Sequence, residues 1–289
     1  MTTPFAIAGL QLATSGLRDN VPYLKARLDH AMMLFPWVQM VVFSELAGFG
    51  PATKHAQPRG GPGEKAFAEM AKSNGVWLVN GSLFESEGDK VYNTSTVFDP
   101  SGAVVAQYRK MFPFRPYEEG VESGTEFCLF DVPEVGRFGL SICYDMWFPE
   151  TTRTLACGGA EVIIHPTLTA TIDRDVELAM VRAAAATNQC FFVDINGIGA
   201  GGIGHSIVVG PAGEIMHQAG PTEEIIPIEL DLDRVRRGRE RGLRSLGQPL
   251  KSFRDSPVDF RVGLRDAKER EFLSTLGPLV KPTREGAKS

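Results

Sequence analysis

The sequence predicts an α/β fold in which β-sheets are covered by helices. Short apolar segments rich in Val, Ile and Phe alternate with longer segments whose apolar residues recur at helical spacing. This alternation is typical of sheets packed against helices. The chain has 289 residues, of which 43% are hydrophobic and 22% charged, so it can bury a sizeable core.

The first half of the chain begins with two strands that enclose a helix. We expect strands at residues 5–12 and 38–43, because these segments are almost wholly apolar, and a helix at 17–34. A polar loop rich in Gly and Pro precedes a second helix at 64–73. Further strands, which we expect to pair as a meander, lie at 76–84, 91–98 and 104–108.

The second half repeats the alternation of strands and helices. We expect strands at 139–142, 161–165 and 190–195, separated by helices at 149–157 and 174–188. The last strand signals lie at 205–209, 214–216 and 225–230.

No linker separates the two halves, and we therefore expect one domain at residues 1–240. Beyond about Gly242 the sequence loses clear periodicity, and it ends in a polar tail at 281–289. We expect residues 241–289 to form a C-terminal arm or tail that is partly disordered or takes part in oligomer contacts.

The charge of the chain favours a small-molecule partner over nucleic acid. The formal net charge is -5, whereas a phosphate-binding face needs clustered Lys and Arg. The arginines between residues 234 and 244 are interleaved with acidic residues, so we interpret them as a solvated helical face. No apolar segment approaches the roughly 20 residues that a membrane-spanning helix needs. The N-terminus lacks the basic segment of a signal peptide.

The four cysteines indicate neither a metal site nor a redox site. Cys128, Cys143, Cys157 and Cys190 lack the close spacing that zinc and disulfide redox sites require, and we expect a reducing, cytoplasmic location. Three of them, all except Cys143, are interpreted as buried apolar residues.

Cys143 is the candidate nucleophile. It ends an apolar strand just before Pro149 opens a helix, so it lies at a strand-to-helix elbow. At such an elbow the N–H of Tyr144 can form half of an oxyanion hole. The thiolate is the reactive form, so the thiol needs a base. Taken alone, a cysteine near a strand end is more often a buried apolar residue.

Two further polar residues end apolar strands. Glu45 follows Val-Val-Phe-Ser, where partial desolvation would raise the pKa of its carboxyl and suit it as a base. Lys110 lies just past another strand, where a fixed ammonium can stabilise an oxyanion. In isolation, Glu45 fits a solvated loop acid equally well, and Lys110 fits a surface lysine. Three polar residues at three strand ends suggest a shared edge where ligands bind.

The three segments together resemble the nitrilase (carbon-nitrogen hydrolase) superfamily. FSEL around Glu45, YRKMFPF around Lys110 and ICYDMWFPE around Cys143 are similar to its Glu-Lys-Cys signature, in the same order, and the resemblance covers about residues 5–235. It implies a four-layer αββα sandwich and assembly as a homodimer or higher homo-oligomer. It also implies catalysis without a metal or organic cofactor.

The resemblance implies a second glutamate near the nucleophile. Glu118 matches the spacing of the extra glutamate in the aliphatic amidase branch, where it helps to position the substrate or the hydrolytic water. Glu119 is the adjacent alternative, and spacing places Glu118 ahead of it.

The function that the resemblance implies is that of an amidase acting on a small amide. Glu45 would accept the proton of Cys143, while Lys110 and the Tyr144 N–H hold the oxyanion, and a thioester would be hydrolysed after ammonia or an amine leaves. The same chemistry would serve a nitrilase or an acyltransferase. A noncatalytic binding protein of the same fold is a further alternative.

The substrate is defined less well by the sequence. The residues behind Cys143 lack the arginine that the carbamoylase branch typically places there, which disfavours N-carbamoyl amino acids. His165 is a further candidate for the lining. The main candidates for the pocket lining, each with a core or loop role as its alternative, are Phe49, Trp147, Thr167, Leu168 and Thr169.

Overall fold

Two β-sheets face each other in the computed structural model, which describes residues 4–260, 263, 264, 266 and 268–281. Within these residues the first sheet has nine strands and the second has six. The first sheet comprises Phe5–Gln11, Met40–Phe43, Gln57–Pro58, Trp77–Val79, Leu83–Glu87, Lys90–Phe98, Val104–Arg109, Val121–Glu122 and Glu224–Leu230. The second comprises Cys128–Val132, Gly136–Leu140, Val162–Thr167, Phe191–Asn196, Ile207–Val209 and Ile215–Gln218. Ala13–Thr14, Ile198–Gly199 and Gly202–Ile203 form a small third sheet.

Helices cover the outer faces of both sheets. The α-helices are Val21–Leu34, Pro62–Asn74, Pro149–Cys157, Asp173–Asn188, Asp233–Arg241 and Pro249–Asp255. Shorter 3-10 helices lie at Thr53–His55, Cys143–Trp147 and Lys268–Thr275. The helix Pro149–Cys157 has the bounds that the sequence predicts, because Pro149 suits the first turn of a helix and Gly158 follows its end.

Three apolar clusters separate four layers. Strand residues alternate between faces, so Ile7 and Ile164 point between the sheets, whereas Leu10 and Ile163 point outward. The outward side chains of the first sheet pack against Val21–Leu34 and Pro62–Asn74, and those of the second against Pro149–Cys157 and Asp173–Asn188. The fold is therefore a four-layer αββα sandwich, which confirms the predicted fold class.

Parallel strands at the centre of each sheet bring the candidate residues to one edge. Met40–Phe43 pairs in parallel with Phe5–Gln11, and Gly136–Leu140 pairs in parallel with Val162–Thr167. The carboxyl ends of parallel strands lie on the same edge of a sheet, where loops can hold ligands. Glu45 follows the strand Met40–Phe43, and Cys143 follows the strand Gly136–Leu140.

The segment expected as one strand at 76–84 is two strands with a sharp turn between them. Gly81 has φ 75°, and a Cβ atom there would lie 1.8 Å from the carbonyl oxygen of Ser44. Only glycine allows the chain to pass this close to the end of strand Met40–Phe43. The strand Cys128–Val132 was not predicted from the sequence.

Two interpretations of surface and core residues are corrected by the structure. Cys157 is exposed, since it lies on the last turn of its helix, whereas Cys128 and Cys190 are buried. The arginine cluster is not simply a solvated face. Arg236 bonds Glu161, with Nε 2.7 Å from Oε1, and Arg239 donates to backbone carbonyls at the base of the second sheet. Through these hydrogen bonds the two arginines hold the helix Asp233–Arg241 against the sandwich.

After Arg241 the chain forms the helix Pro249–Asp255, which contacts the helix Asp173–Asn188. The expected tail at 281–289 lies outside the described residues from position 282 onward. Among the residues that are described, no helix is both long and apolar enough to cross a membrane.

Candidate active site

Glu45, Lys110 and Glu118 meet in one buried cluster. The Lys110 ammonium lies 2.9 Å from Oε1 of Glu45 and 2.8 Å from Oε2 of Glu118. Lys110 and Glu45 are almost fully buried, whereas Glu118 is partly exposed. Two carboxylates therefore share one ammonium, and the cluster carries a net negative charge when all three groups are ionised.

The loop after strand Met40–Phe43 fixes Glu45. Its N–H donates to the carbonyl of Thr167 in the second sheet, over 3.3 Å. The carboxylate accepts a second hydrogen bond from Nδ2 of Asn93, at 2.8 Å. Sequence analysis missed Asn93, which is fully buried on a strand of the first sheet. The next three residues of this strand, at 94–96, are also polar, so nothing in its neighbourhood marked Asn93 as a site residue.

Burial and neighbouring charges shift the pKa values of the cluster. Burial raises the pKa of Glu45, the charge of Lys110 lowers it, and the charge of Glu118 raises it further, so that the net shift is upward. Burial lowers the pKa of Lys110, but the charges of Glu45 and Glu118 outweigh this effect and hold it well above its usual value. Lys110 is therefore a fixed cation, and Glu45 is a carboxylate with increased proton affinity.

Glu118, rather than Glu119, contacts Lys110. Oε2 of Glu118 also accepts a hydrogen bond from the N–H of Phe114, which orients the carboxylate toward the ammonium. The adjacent Glu119 is exposed to solvent. Glu118 is therefore the one of the two that belongs to the buried cluster.

Cys143 lies at a strained turn beside this cluster. Its φ is 48°, in the left-handed region that residues with a Cβ atom rarely adopt. The backbone then enters the 3-10 helix Cys143–Trp147, so the N–H of Tyr144 belongs to its first turn. Sγ lies 3.9 Å from Oγ1 of Thr169. Burial and the charge of Glu45 raise the pKa of the thiol well above its usual value, so at rest it is protonated.

Asp145 connects the turn at Cys143 with the segment around Lys110, and this role was not predicted from the sequence. Its carboxylate accepts hydrogen bonds from Tyr108 Oη at 2.7 Å, from the N–H of Ile142 at 2.9 Å and from the N–H of Phe112 at 2.9 Å. Burial raises the pKa of Asp145 to about 6. The signal in the sequence was an acid two residues after the cysteine, inside an apolar segment.

A cavity of about 400 Å³ opens above Cys143. Of the predicted lining residues, Trp147, Leu168 and Thr169 border it, together with Tyr144. Other bordering residues are Phe114, Tyr117, Ala170, Thr171, Asp173, Glu177 and Gly201.

Three predicted lining residues lie elsewhere. Phe49 packs over Gly63 and does not border the cavity, and Thr167 is fully buried, where its hydroxyl donates to Asp194. His165 is also fully buried, and burial lowers its pKa to about 4, so it is neutral. A strand residue adjacent to the edge faces the core as often as the ligand, which is why sequence alone misplaced these side chains.

A group of buried charges extends inward from the cavity wall at Glu177, and it was not predicted from the sequence. Nη1 of Arg174 lies 3.1 Å from Oε2 of Glu177, and its other terminal nitrogen contacts Asp194. Oε1 of Glu177 accepts a hydrogen bond from the Thr169 hydroxyl at 3.1 Å. Thr169 thus lies between the Cys143 thiol and the Glu177 carboxylate. No group of three or more His, Cys, Asp or Glu side chains is arranged as a metal site in the described part of the chain.

The fold is that of the nitrilase superfamily, and the chain belongs to the carbon-nitrogen hydrolase family. The family model for carbon-nitrogen hydrolases matches residues 6–240. This range contains every residue of the cluster and the cavity described above.

Relatives of known activity place the protein among amidases. The human omega-amidase NIT2 is 30% identical over 253 residues, covering 81% of this chain and 91% of that protein. A carbon-nitrogen hydrolase from Helicobacter pylori G27 superposes with a TM-score of 0.79 at 26% identity, covering 91% of this chain and 99% of that one.

A third relative is the amidase from Nesterenkonia sp. AN1. A variant of that enzyme, with the acetamide moiety of fluoroacetamide covalently added at its active-site cysteine, superposes with a TM-score of 0.71 at 25% identity. The match covers 81% of this chain and 93% of that one. The protein described here is a carbon-nitrogen hydrolase of the amidase type.

Proposed function

We propose that the protein hydrolyses a small amide through a thioester formed on Cys143. The observation that carries the proposal is the sharing of the buried Lys110 ammonium by Glu45 and Glu118, next to a thiol at the floor of a cavity. A fixed cation, a base of raised pKa and a nucleophile are the three groups that cysteine-dependent acyl transfer needs. In the Nesterenkonia amidase the active-site cysteine forms a covalent bond with the acetamide moiety of fluoroacetamide, and a cysteine that acts as a nucleophile in a structural relative supports the same assignment.

In the first step Glu45 accepts the thiol proton as the sulfur attacks the amide carbon. The carbonyl oxygen becomes an oxyanion, which the Lys110 ammonium and the Tyr144 N–H stabilise. Because burial raises the pKa of the Cys143 thiol, the proton leaves during attack and not beforehand. Glu45 then gives this proton to the leaving nitrogen, the C–N bond breaks, and ammonia or an amine departs from the thioester.

In the second step water hydrolyses the thioester. Glu45, again a carboxylate, accepts a proton from the water as its oxygen attacks the acyl carbon, and a second oxyanion forms at the same place. The C–S bond then breaks and the proton returns to the sulfur, so the acid product leaves and the enzyme is restored. Glu118 holds Lys110 in place and orients the substrate or the water.

The experiment that tests this function is ammonia release from small aliphatic amides. We expect release by the wild type and none by Cys143→Ala, with the acyl-thioester detectable by mass spectrometry after a rapid quench. Cys157→Ser is the matched control, because Cys157 is exposed and distant from the cluster. Release by Cys143→Ala equal to that of the wild type would refute the mechanism.

We propose in addition that the chain forms a homodimer or larger homo-oligomer to which its C-terminal arm contributes. The supporting observation is that large apolar side chains of the arm, among them Phe260, Phe272 and Leu276, are exposed in the single chain. Light scattering of the full chain should give at least twice the monomer mass. Phe272→Asp combined with Leu276→Asp should lower that mass, and a monomeric wild type would contradict the proposal.

A further inference from the structure

We infer that the cavity above Cys143 selects amides whose far end carries a hydrogen-bond-donating cation, such as a primary ammonium, and that Asp173 and Glu177 provide this selectivity. The inference rests on the proposed amidase function and names the substrate class of the same site.

The charged side chains that border the cavity are both carboxylates. Glu177 is buried on the inner face of the helix Asp173–Asn188, and Asp173 is half-buried at its start. No Lys, Arg or His side chain borders this cavity anywhere in the described ranges. A substrate carboxylate would therefore meet two like charges, and no cation is among the residues that line the cavity to pair with it.

Arg174 does not cancel this negative charge. It is buried behind the cavity and bonds Glu177, Asp194 and the carbonyl of His205, at 2.7 Å for the last. One guanidinium thus serves two carboxylates, and Asp173 adds a third negative charge at the rim. The charge of Glu177 is also close enough to Cys143 to raise the pKa of the thiol, so its field reaches the place where the substrate reacts.

Aromatic rings form another part of the cavity wall, and one of them adjoins Glu177, since Nε1 of Trp147 donates to Oε1 of Glu177 at 3.4 Å. The ring of Phe114 lies 5.1 Å from Tyr117 and 4.9 Å from Tyr144, and the ring of Tyr144 lies 6.0 Å from Trp147. Ring faces attract cations and give nothing comparable to anions. The ring of Tyr117 makes a cation–π contact within the chain, since Nζ of Lys281 lies 5.5 Å from the centre of this ring. The carboxylates and the aromatic rings of the cavity therefore both favour a positively charged group.

Three amides of similar length and different terminal charge test the inference. They are δ-aminovaleramide, which ends in an ammonium, valeramide, which ends in a methyl group, and glutaric acid monoamide, which ends in a carboxylate. We expect kcat/KM for the ammonium compound to exceed that for valeramide by at least about tenfold, with the carboxylate compound slowest. The preference should shrink as salt is added, because salt screens charges near the surface.

Two asparagine variants on the same helix turn separate cavity charge from general charge. Asp173→Asn should lower the ratio of kcat/KM for δ-aminovaleramide over valeramide severalfold. Asp175→Asn should leave this ratio unchanged, because Asp175 is exposed and does not border the cavity. An equal effect of the two variants would overturn the inference, as would a wild type that turns over glutaric acid monoamide faster than valeramide.

Thiol labelling keeps this inference distinct from the proposed function. In a Cys157→Ser background, methanethiosulfonates bearing an ammonium or a sulfonate should label Cys143 at different rates. The measured quantity is the labelling rate with the ammonium reagent divided by the rate with the sulfonate reagent. We expect this rate ratio to be at least about tenfold higher for Cys143 than for a small free thiol. A ratio equal to that of the free thiol would overturn the inference. If Cys143 prefers the ammonium reagent but the protein hydrolyses no amide, the proposed function is overturned and the charge selectivity of the cavity is still supported.

Discussion

The Lys110 ammonium and the Glu45 carboxylate form a buried ion pair, with Nζ 2.9 Å from Oε1. They are 65 positions apart in the chain, and each follows a different strand of the first sheet. Removing two charges from water costs several kcal/mol per ion, and the pair persists because each group has further partners, Asn93 and Glu118. Such an arrangement is costly for folding, and in the mechanism that we propose its benefit lies in holding charges where an oxyanion and a proton are received.

Breaking this ion pair from one side should cost more stability than removing both charges. We expect Lys110→Met to abolish turnover and to lower the free energy of unfolding by about 3–5 kcal/mol, since it leaves Glu45 buried without its cation. Adding Glu45→Gln should restore part of that stability and none of the activity. Chemical denaturation of the two single variants and the double variant measures the coupling. If the losses in the free energy of unfolding of the two single variants add up to that of the double variant, the interaction between Lys110 and Glu45 contributes nothing to stability.

Glu118 and Glu119 should differ sharply in their importance for turnover. Glu118→Gln removes a charge that holds Lys110 and should reduce kcat/KM by at least about tenfold, since small displacements of a catalytic group are costly. Glu119→Gln is the matched control and should remain near wild type, because Glu119 is exposed. Steady-state kinetics on a neutral amide measures both. Similar losses in the two variants would argue against the role given to Glu118.

The fall of kcat/KM at acid pH (the acid limb of the pH profile) should be set by the protonation of Glu45. The base works only when ionised, so kcat/KM should fall as pH drops through the pKa of Glu45, and burial places that pKa above the ordinary glutamate value. The charge of Glu118 raises the same pKa, so Glu118→Gln should move the limb to lower pH. Glu119→Gln should leave the limb in place. A limb that moves upward in Glu118→Gln would be inconsistent with Glu45 as the base.

Asp145 should matter for both stability and activity. Asp145→Asn cannot accept all three hydrogen bonds and leaves buried donors unpaired, at a cost of about 1–3 kcal/mol in the free energy of unfolding. Tyr108→Phe removes only one of these donors and should cost about 0.5–1.5 kcal/mol. Thermal unfolding and kcat/KM together test this. An Asp145→Asn variant as stable and active as the wild type would contradict the positioning role.

The alternation of apolar strands and amphipathic helices made the α/β class predictable, because burial of strand and helix faces leaves a period in the sequence. Helix Pro149–Cys157 was predicted to the residue, since proline and glycine mark its ends. The turn at Gly81 was not predicted, because it depends on contact with Ser44, a residue distant in sequence. Helix Val21–Leu34 begins four residues later than expected, with Pro22 in its first turn.

The sequence by itself determined that an acid, a lysine and a cysteine each follow an apolar strand, and this is a local property that neighbouring residues encode. The packing of the two sheets decided which of these groups touch, which of Glu118 and Glu119 reaches Lys110, and which side chains border the cavity. Asn93, Asp145 and Glu177 acquire their roles only through partners that are remote in the chain or fixed by the turn of the backbone. Side-chain direction and long-range contact depend on tertiary packing, so the charge of the cavity, and with it the substrate, is set by the folded structure.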